Sequence, residues 1–255
     1  MGRLDARVAI VTGGANGIGR VYSRALAAEG ATVIMADIAG CDEAAEALSQ
    51  EYGQERILAF RFDVGIEKDV ADLVAAVIAR CGKIDVLINN AALFSTLKSV
   101  EPWNIDVELW DRVMAVNVRG PFLMVKHVAP HMIKARYGKI INIGSGTAYR
   151  GIPSMAHYVT SKGAILGLTR ALSRDLGKHG ITVNTLAPGL IMSDTLLTTN
   201  QQHVDEMRDA VLAARSIKRD GYPEDLIGAL VLLASAESDF IAGQTLAVCG
   251  GTTNT

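Results

Sequence analysis

Tyr158 and Lys162 stand four residues apart in "YVTSK", a spacing that puts both side chains on one face of a helix. A tyrosine titrates near pH ~10 when unperturbed, too high for an efficient base at neutral pH. A lysine cation one turn away stabilises the phenolate and lowers that value, so the pair can serve as an acid–base centre. The same two residues can equally form a solvated surface contact, and five residues do not choose between these. Ser145 follows the apolar run "KIINI" in a Gly-Ser-Gly loop, where its hydroxyl can steer a substrate oxygen toward Tyr158 or simply complete a turn. Asn117, in "MAVNVRGPFLM", is a polar residue in an apolar helical stretch and taken alone reads as a hydrogen-bonded core asparagine.

These residues need a scaffold. Short apolar runs at Val8–Thr12, Thr32–Asp37, Ile57–Arg61, Val86–Asn90, Lys139–Ile143, Thr182–Leu186 and Thr245–Val248 read as strands. Most are apolar throughout, as parallel strands covered on both faces are. Helical patterns lie between them, among them "DVADLVAAVIAR" and "AILGLTRALSRDLGKHG", the latter stopping at Gly180. The alternation predicts an α/β fold: a Rossmann-like, doubly wound, seven-stranded parallel sheet with helices on both faces, as one domain over residues 1–255. Ligands of such sheets bind at the carboxyl ends of the strands, where Ser145 falls. The polar segment 190–222, with a helical patch around 203–214, interrupts the rhythm and reads as a substrate lid.

The first strand runs into "TGGANGIG", whose Gly13, Gly17 and Gly19 allow a sharp turn and a close approach of backbone to phosphate at a helix N-terminus. Asp37 ends the second strand, 18 residues after Gly19, where a carboxylate can accept both hydroxyls of an adenosine ribose and repel a 2′-phosphate. Ile38 follows it, and no Arg or Lys precedes Gly19 in the loop, which favours NAD over NADP.

With 255 residues, 49% hydrophobic and 20% charged, the chain has an ordinary globular composition. A net charge of −2 without a basic run gives no support for nucleic-acid binding. No stretch approaches the ~20 apolar residues that span a bilayer, and the N-terminus lacks a secretory pattern, so a cytoplasmic protein without membrane contact is expected. Cys41, Cys81 and Cys249 are odd in number and widely spaced, and no Cys/His spacing suits a metal, so neither disulfides nor a metal site are expected.

The ordered motifs "TGGANGIG", Asp37, Asp63–Val64, "NNAA" (Asn89–Ala92), Asn117, Ser145, "YVTSK" and Pro188–Gly189 resemble the short-chain dehydrogenase/reductase family over nearly the whole chain. Within it, "GGANGIGR", "TRAL", "GITVN" and "GQTLAV" look most like bacterial dehydrogenases of secondary aromatic alcohols such as 1-phenylethanol. The resemblance implies an NAD-dependent oxidoreductase, a homotetramer, acting on a small-molecule alcohol/carbonyl pair, with an aromatic alcohol/aldehyde pair as the alternative. It makes Tyr158 the acid/base and has Lys162 also hold the nicotinamide ribose. It gives Asn117 a place in a proton relay through the lysine. It places Gly13, Asn16, Gly17, Ile18, Gly19, Asp37 and Ile38 around the adenosine and phosphates, with Asp63 and Val64 at the adenine. Asn90, Ala91, Ala92, Pro188, Gly189, Ile191 and Ser193 fall on the nicotinamide side. Three positions depart from the family's pattern: Ala92 for a glycine, Ser193 for a frequent Thr, and Cys249 for a common Asp. A catalytically inactive NAD sensor would be expected to lack Tyr158, Lys162 or Ser145, and a sugar epimerase to have a longer chain. Around the reacting carbon the expected residues are Leu93, Phe94, Ser145, Thr147, Tyr149, Ile152, Met155, Leu190 and Met192. They are mostly apolar and suit an uncharged hydrophobic secondary alcohol, with Arg150 the nearest cation for an acidic one.

Overall fold

The computed structural model describes residues 2–253, without the side chains of residues 202, 203 and 206. Seven parallel strands form one sheet: β1 (Val8–Thr12), β2 (Thr32–Asp37), β3 (Ile57–Arg61), β4 (Val86–Asn89), β5 (Gly138–Ile143), β6 (Ile181–Pro188) and β7 (Thr245–Val248). Their order is β3-β2-β1-β4-β5-β6-β7. The two-residue alternation of a strand sorts β1 between two cores: Ala9 and Val11 face one side, Val8 and Ile10 the other. Apolar faces of α1 (Gly17–Ala28) and α2 (Cys41–Tyr52) cover the first side, through Tyr22, Leu26 and Leu48. On the second lie α3 (Glu67–Cys81) and α5 (Gly120–Ala135), whose Leu73, Val77, Leu123 and Met132 complete the core, while α4 (Val107–Met114) buries Val113 in a smaller cluster with Leu97 and Met155. Because β1 has β2 on one side and β4 on the other, the chain reverses its winding there, and a crevice opens beyond the carboxyl ends of these strands.

Two elements follow β5 into this crevice: the short α6 (Thr147–Arg150) and the long helix α7 (Ala156–Leu176). A tightened turn, Gly177–His179, follows α7, and Gly180, at φ +76°, ends the run as the sequence suggests. The polar segment after β6 is more ordered than one helical patch. It holds α8 (Asp194–Thr199) and α9 (Gln201–Ala214), and α10 (Ile227–Ala234) then returns to the first core. Arg215, only 3% exposed, ties both ends of this segment together, donating to the carbonyls of Leu190 (2.5 Å) and Arg219 (2.6 Å). Among the described residues, no helix is long and apolar enough to cross a membrane, and no cluster of His, Cys, Asp and Glu suits a metal ion.

Candidate active site

The turn after β1 is built from glycines because nothing larger fits. Gly13 has φ +63° and Gly17 φ +50°, and a Cβ on Gly19 would be driven into the Gly13 carbonyl. Asn90 braces the turn from the neighbouring strand, its Nδ2 donating to the carbonyls of Thr12 (3.0 Å) and Gly13 (3.1 Å). Thr12 returns the contact, its Oγ1 accepting from the amides of Asn90 and Ala91 at 3.0 Å each. Sequence reasoning gave Thr12 no role; its signal is a hydroxyl at the last, buried position of an otherwise apolar strand. The N-terminus of α1 then opens on the crevice with its first amides directed outward, the arrangement that holds a phosphate.

Asp37 has its carboxylate oriented by two backbone amides, Ala15 (3.1 Å) and Ile38 (2.8 Å). Among the described residues it forms no ion pair, so its charge faces the crevice uncompensated. Asp63 does two things at once. It lines the crevice, and its Oδ1 accepts from Gly65 N at 2.8 Å in the turn that leads to α3.

At the other end of the crevice, α7 brings Tyr158 and Lys162 to the end of β5, where Ser145 leaves the sheet. All three are buried: Tyr158 and Ser145 at 7% exposure, Lys162 at 4%. Lys162 donates to the Ile143 carbonyl at 2.7 Å and stands 5.8 Å from the centre of the Tyr158 ring. Burial pushes the phenol up to about 12, against a smaller pull downward from the Ser145 hydroxyl, while burial alone pushes the Lys162 amine down to about 8. The expected depression of the phenol by its lysine is therefore reversed here. In so dry a position loss of hydration outweighs the attraction of an amine that is itself driven toward neutrality. Ser145 Oγ accepts from the Thr147 amide (3.2 Å) and hydroxyl (2.9 Å).

Asn117 is 1% exposed and lies in a π-helical turn, Ala115–Arg119, between α4 and α5. Its amide is committed to protein: Oδ1 accepts from Leu93 N (2.8 Å), and Nδ2 donates to Leu93 O (3.2 Å) and Ser161 Oγ (3.1 Å). It thus clamps the segment after β4 to α7 and acts on the crevice through Leu93.

One cavity of about 380 Å³ joins the glycine turn to Tyr158. Its walls include Gly13, Asn16, Gly17, Ile18, Gly19, Asp37, Ile38, Asp63 and Val64 at one end, and Asn90, Ala91, Ala92, Pro188, Gly189, Ile191 and Ser193 toward the other. Leu93, Phe94, Thr147, Ile152 and Leu190 line it around Ser145, Tyr158 and Lys162. Three expected wall residues do not. Tyr149 points off the opposite side of α6 into a separate groove beside Arg170 and Arg174. Met155 packs with Leu97 and Val113 beneath Tyr158, and Met192 packs with Leu196, Val204 and Val211 inside the 190–222 segment. The cavity also takes in Ser95, Arg150, Thr195, Met207 and Thr252, of which only Arg150 drew attention in the sequence. Phe94 links the parts, its ring 4.7 Å from that of Tyr158 and its other side on the Leu190–Met192 cluster.

Residues 13–253 match the family described as Enoyl-(Acyl carrier protein) reductase. The chain belongs to the short-chain dehydrogenase/reductase family. Its relatives include sorbitol dehydrogenase of Cereibacter sphaeroides, 39% identical over 98% of both chains. Another is the 3-oxoacyl-(acyl-carrier-protein) reductase FabG of Staphylococcus epidermidis, 36% identical over 95% of this chain and 97% of that one. The structure of levodione reductase superposes with a TM-score of 0.90 at 28% identity, covering 97% of this chain and 98% of that one. As a member of this family the protein is an oxidoreductase that uses a nicotinamide cofactor, and the seven-stranded parallel sheet is the family's fold. Of the family positions that depart from pattern, Ser193 caps α8, accepting from Leu196 N at 3.3 Å. Cys249 is buried against the Gly189 turn, where a Cβ on Gly189 would come within 3.0 Å of it.

Proposed function

We propose that the protein is an NAD-dependent dehydrogenase/reductase of an uncharged, largely apolar secondary alcohol and its ketone. The observation that carries this is the placement of Ser145, Tyr158 and Lys162 in one cavity with the glycine turn and the unpaired Asp37 carboxylate. The residues suit the cofactor: the cradle around Gly13 and Gly19 would be filled by any Cβ, and Asp37 offers two oxygens to ribose hydroxyls while repelling a 2′-phosphate. When bound, the nicotinamide accepts or supplies the hydride, and its oxidised form carries a positive charge that favours a phenolate. Tyr158 takes or returns the proton of the substrate oxygen, Ser145 donates to that oxygen, and Lys162 holds a ribose hydroxyl from the Ile143 carbonyl. Asn117 keeps α7 in register with the segment that carries Leu93 and Phe94.

The apolar walls Leu93, Phe94, Ile152, Leu190 and Met207 exclude water from the reacting carbon and favour an aryl or cyclic substituent. Segment 190–222 is the lid, its α8 lying on the glycine turn through Thr195 and the Arg20–Asp194 ion pair. The protein acts in the cytoplasm as a single-domain subunit of a homotetramer. Exposed Trp103 (80%) and Phe240 (103%) are large apolar side chains that a subunit contact would cover.

A polyol is the second reading. It is favoured by the sorbitol dehydrogenase relative and by Ser95, Thr147 and Arg150, which bring polar groups to the same cavity. The deciding measurement is kcat/KM with NAD for 1-phenylethanol-type alcohols, aromatic primary alcohols, sugar alcohols and hydroxy acids, in the parent and in Arg150→Met. The parent is expected to prefer the secondary aryl or cyclic alcohol, unchanged in Arg150→Met. A preference for sugar alcohols selects the second reading, and a preference for an acid that Arg150→Met abolishes overturns both.

A further inference from the structure

Thr147 opens α6 two residues after Ser145 and spends both its donors there. Its amide donates to Ser145 Oγ at 3.2 Å, and its hydroxyl lies in donor geometry 2.9 Å from the same atom. A serine hydroxyl has two lone pairs and one proton. With the lone pairs engaged from the Thr147 side, the Ser145 proton is left for the cavity that Ser145 and Tyr158 line together, and the Ser145 hydroxyl there pulls the Tyr158 phenol downward. We infer that Thr147 is a positioning residue that fixes the Ser145 hydroxyl as a donor toward Tyr158 and the substrate oxygen.

The direction of that proton matters because it changes which form of Tyr158 is favoured. A serine that donates stabilises the phenolate, and one that accepts stabilises the neutral phenol. A free hydroxyl would sample both. The surrounding backbone does not need the Thr147 side chain to hold its shape: Gly146 N donates to Pro188 O at 2.9 Å, and Ala148 N to Ser145 O at 3.1 Å. Removing only Thr147 Oγ1 should therefore leave Ser145 in place and free its rotor. The sequence could not distinguish this residue from an ordinary wall of the pocket, since the second donor, the backbone amide, aligns only when the chain turns into α6.

This inference deepens the proposed alcohol/carbonyl chemistry and rests on it for its rate effect alone. The test uses Thr147→Val, which keeps the amide and the shape but lacks the hydroxyl, and Thr147→Ser, which restores the hydroxyl. Thr147→Ala replaces the first if valine is not accepted by the fold. In each background Tyr158 is replaced by difluorotyrosine, an analogue that ionises within the range a folded protein withstands, and its absorbance is titrated. Thr147→Val should raise the midpoint by roughly half a unit to one unit, and Thr147→Ser should leave it with the parent. With natural Tyr158 and the best alcohol, Thr147→Val should lower kcat by about 2–10-fold with KM nearly unchanged, and Thr147→Ser should recover most of the loss. A midpoint that stays put in Thr147→Val, or moves equally in Thr147→Ser, overturns the inference. So does a midpoint that moves while kcat does not. If the parent turned over no alcohol or ketone, the proposed function would fail, and the titration would still decide the role of Thr147.

Discussion

Lys139 and Lys162 are anchored at opposite ends of β5, and both are almost wholly buried, at 1% and 4% exposure. Lys139, at the amino end, meets the Asp239 carboxylate at 2.7 Å and the Ser238 hydroxyl at 3.2 Å. Its neighbours are similarly matched: Asp85 takes Arg7 at 3.0 Å and Lys83 at 2.9 Å, and Arg7 also lies over the Tyr137 ring at 3.9 Å. Lys162, at the carboxyl end, has a backbone carbonyl and no carboxylate, and burial moves both it and Tyr158 toward their neutral forms. The fold compensates charge where it only has to hold the sheet, and leaves it uncompensated where the proposed function has protons move.

The sharpest way to break this contrast is at the carboxyl end. Tyr158→Phe removes one hydroxyl from a residue whose ring stays packed on Phe94. Turnover should fall by about 10²–10⁴-fold while dinucleotide binding, read by NADH fluorescence, is kept. A variant with most of its activity would return the tyrosine to a packing role.

At the amino end the expected loss is of stability. Asp85→Asn weakens two ion pairs and the acceptor that Val8 N uses at 2.9 Å. It should cost about 1–3 kcal/mol in denaturant unfolding and leave kcat nearly unchanged. A selective loss of kcat at unchanged stability would show that the two ends are not separate in role.

The lysines themselves sharpen the comparison. Lys162 titrates lower in the fold, about 8, than its ordinary 10.5, so between those values the unfolded chain binds more protons and stability rises with pH. Its buried amine is a burden below pH 8 that is progressively relieved toward 10.5. Relative to Lys162→Met, the parent should gain about 1–2 kcal/mol between roughly pH 8 and pH 9.5. Urea midpoints of the two proteins that run parallel across that window would contradict the burial of an uncompensated amine.

The smallest expected change concerns the other uncompensated charge at this end. Asp37→Ala should narrow the proposed preference for NAD over NADP by about tenfold in kcat/KM, since the carboxylate that would bind the ribose and repel a 2′-phosphate is gone. Equal use of both cofactors by the parent would remove that role from Asp37.

Much of the frame was legible before folding. The strands are continuous apolar runs bounded by polar or glycine residues, so hydrophobicity alone marks them, and six parallel pairings leave the sheet a single order. The glycines of the first turn and the four-residue spacing of Tyr158 and Lys162 are local geometry, which a linear sequence encodes directly. Directions were not. Thr147, Tyr149 and Ile152 look alike as pocket candidates, but one turn of α6 sends Thr147 and Arg150 into the cavity and Tyr149 out of it. Met155 and Met192 were claimed by neighbouring apolar clusters because a flexible side chain fills whichever gap lies closest. The order of α8 and α9 depended on Arg215 reaching across 25 residues of chain to Leu190, a contact no local pattern announces. The sequence by itself determined the sheet, the phosphate turn and which residues could exchange a proton. Only the tertiary structure decided how dry their surroundings are, and that sets the pKa of Tyr158 and Lys162, since solvation belongs to everything packed around a group and not to its neighbours in the chain.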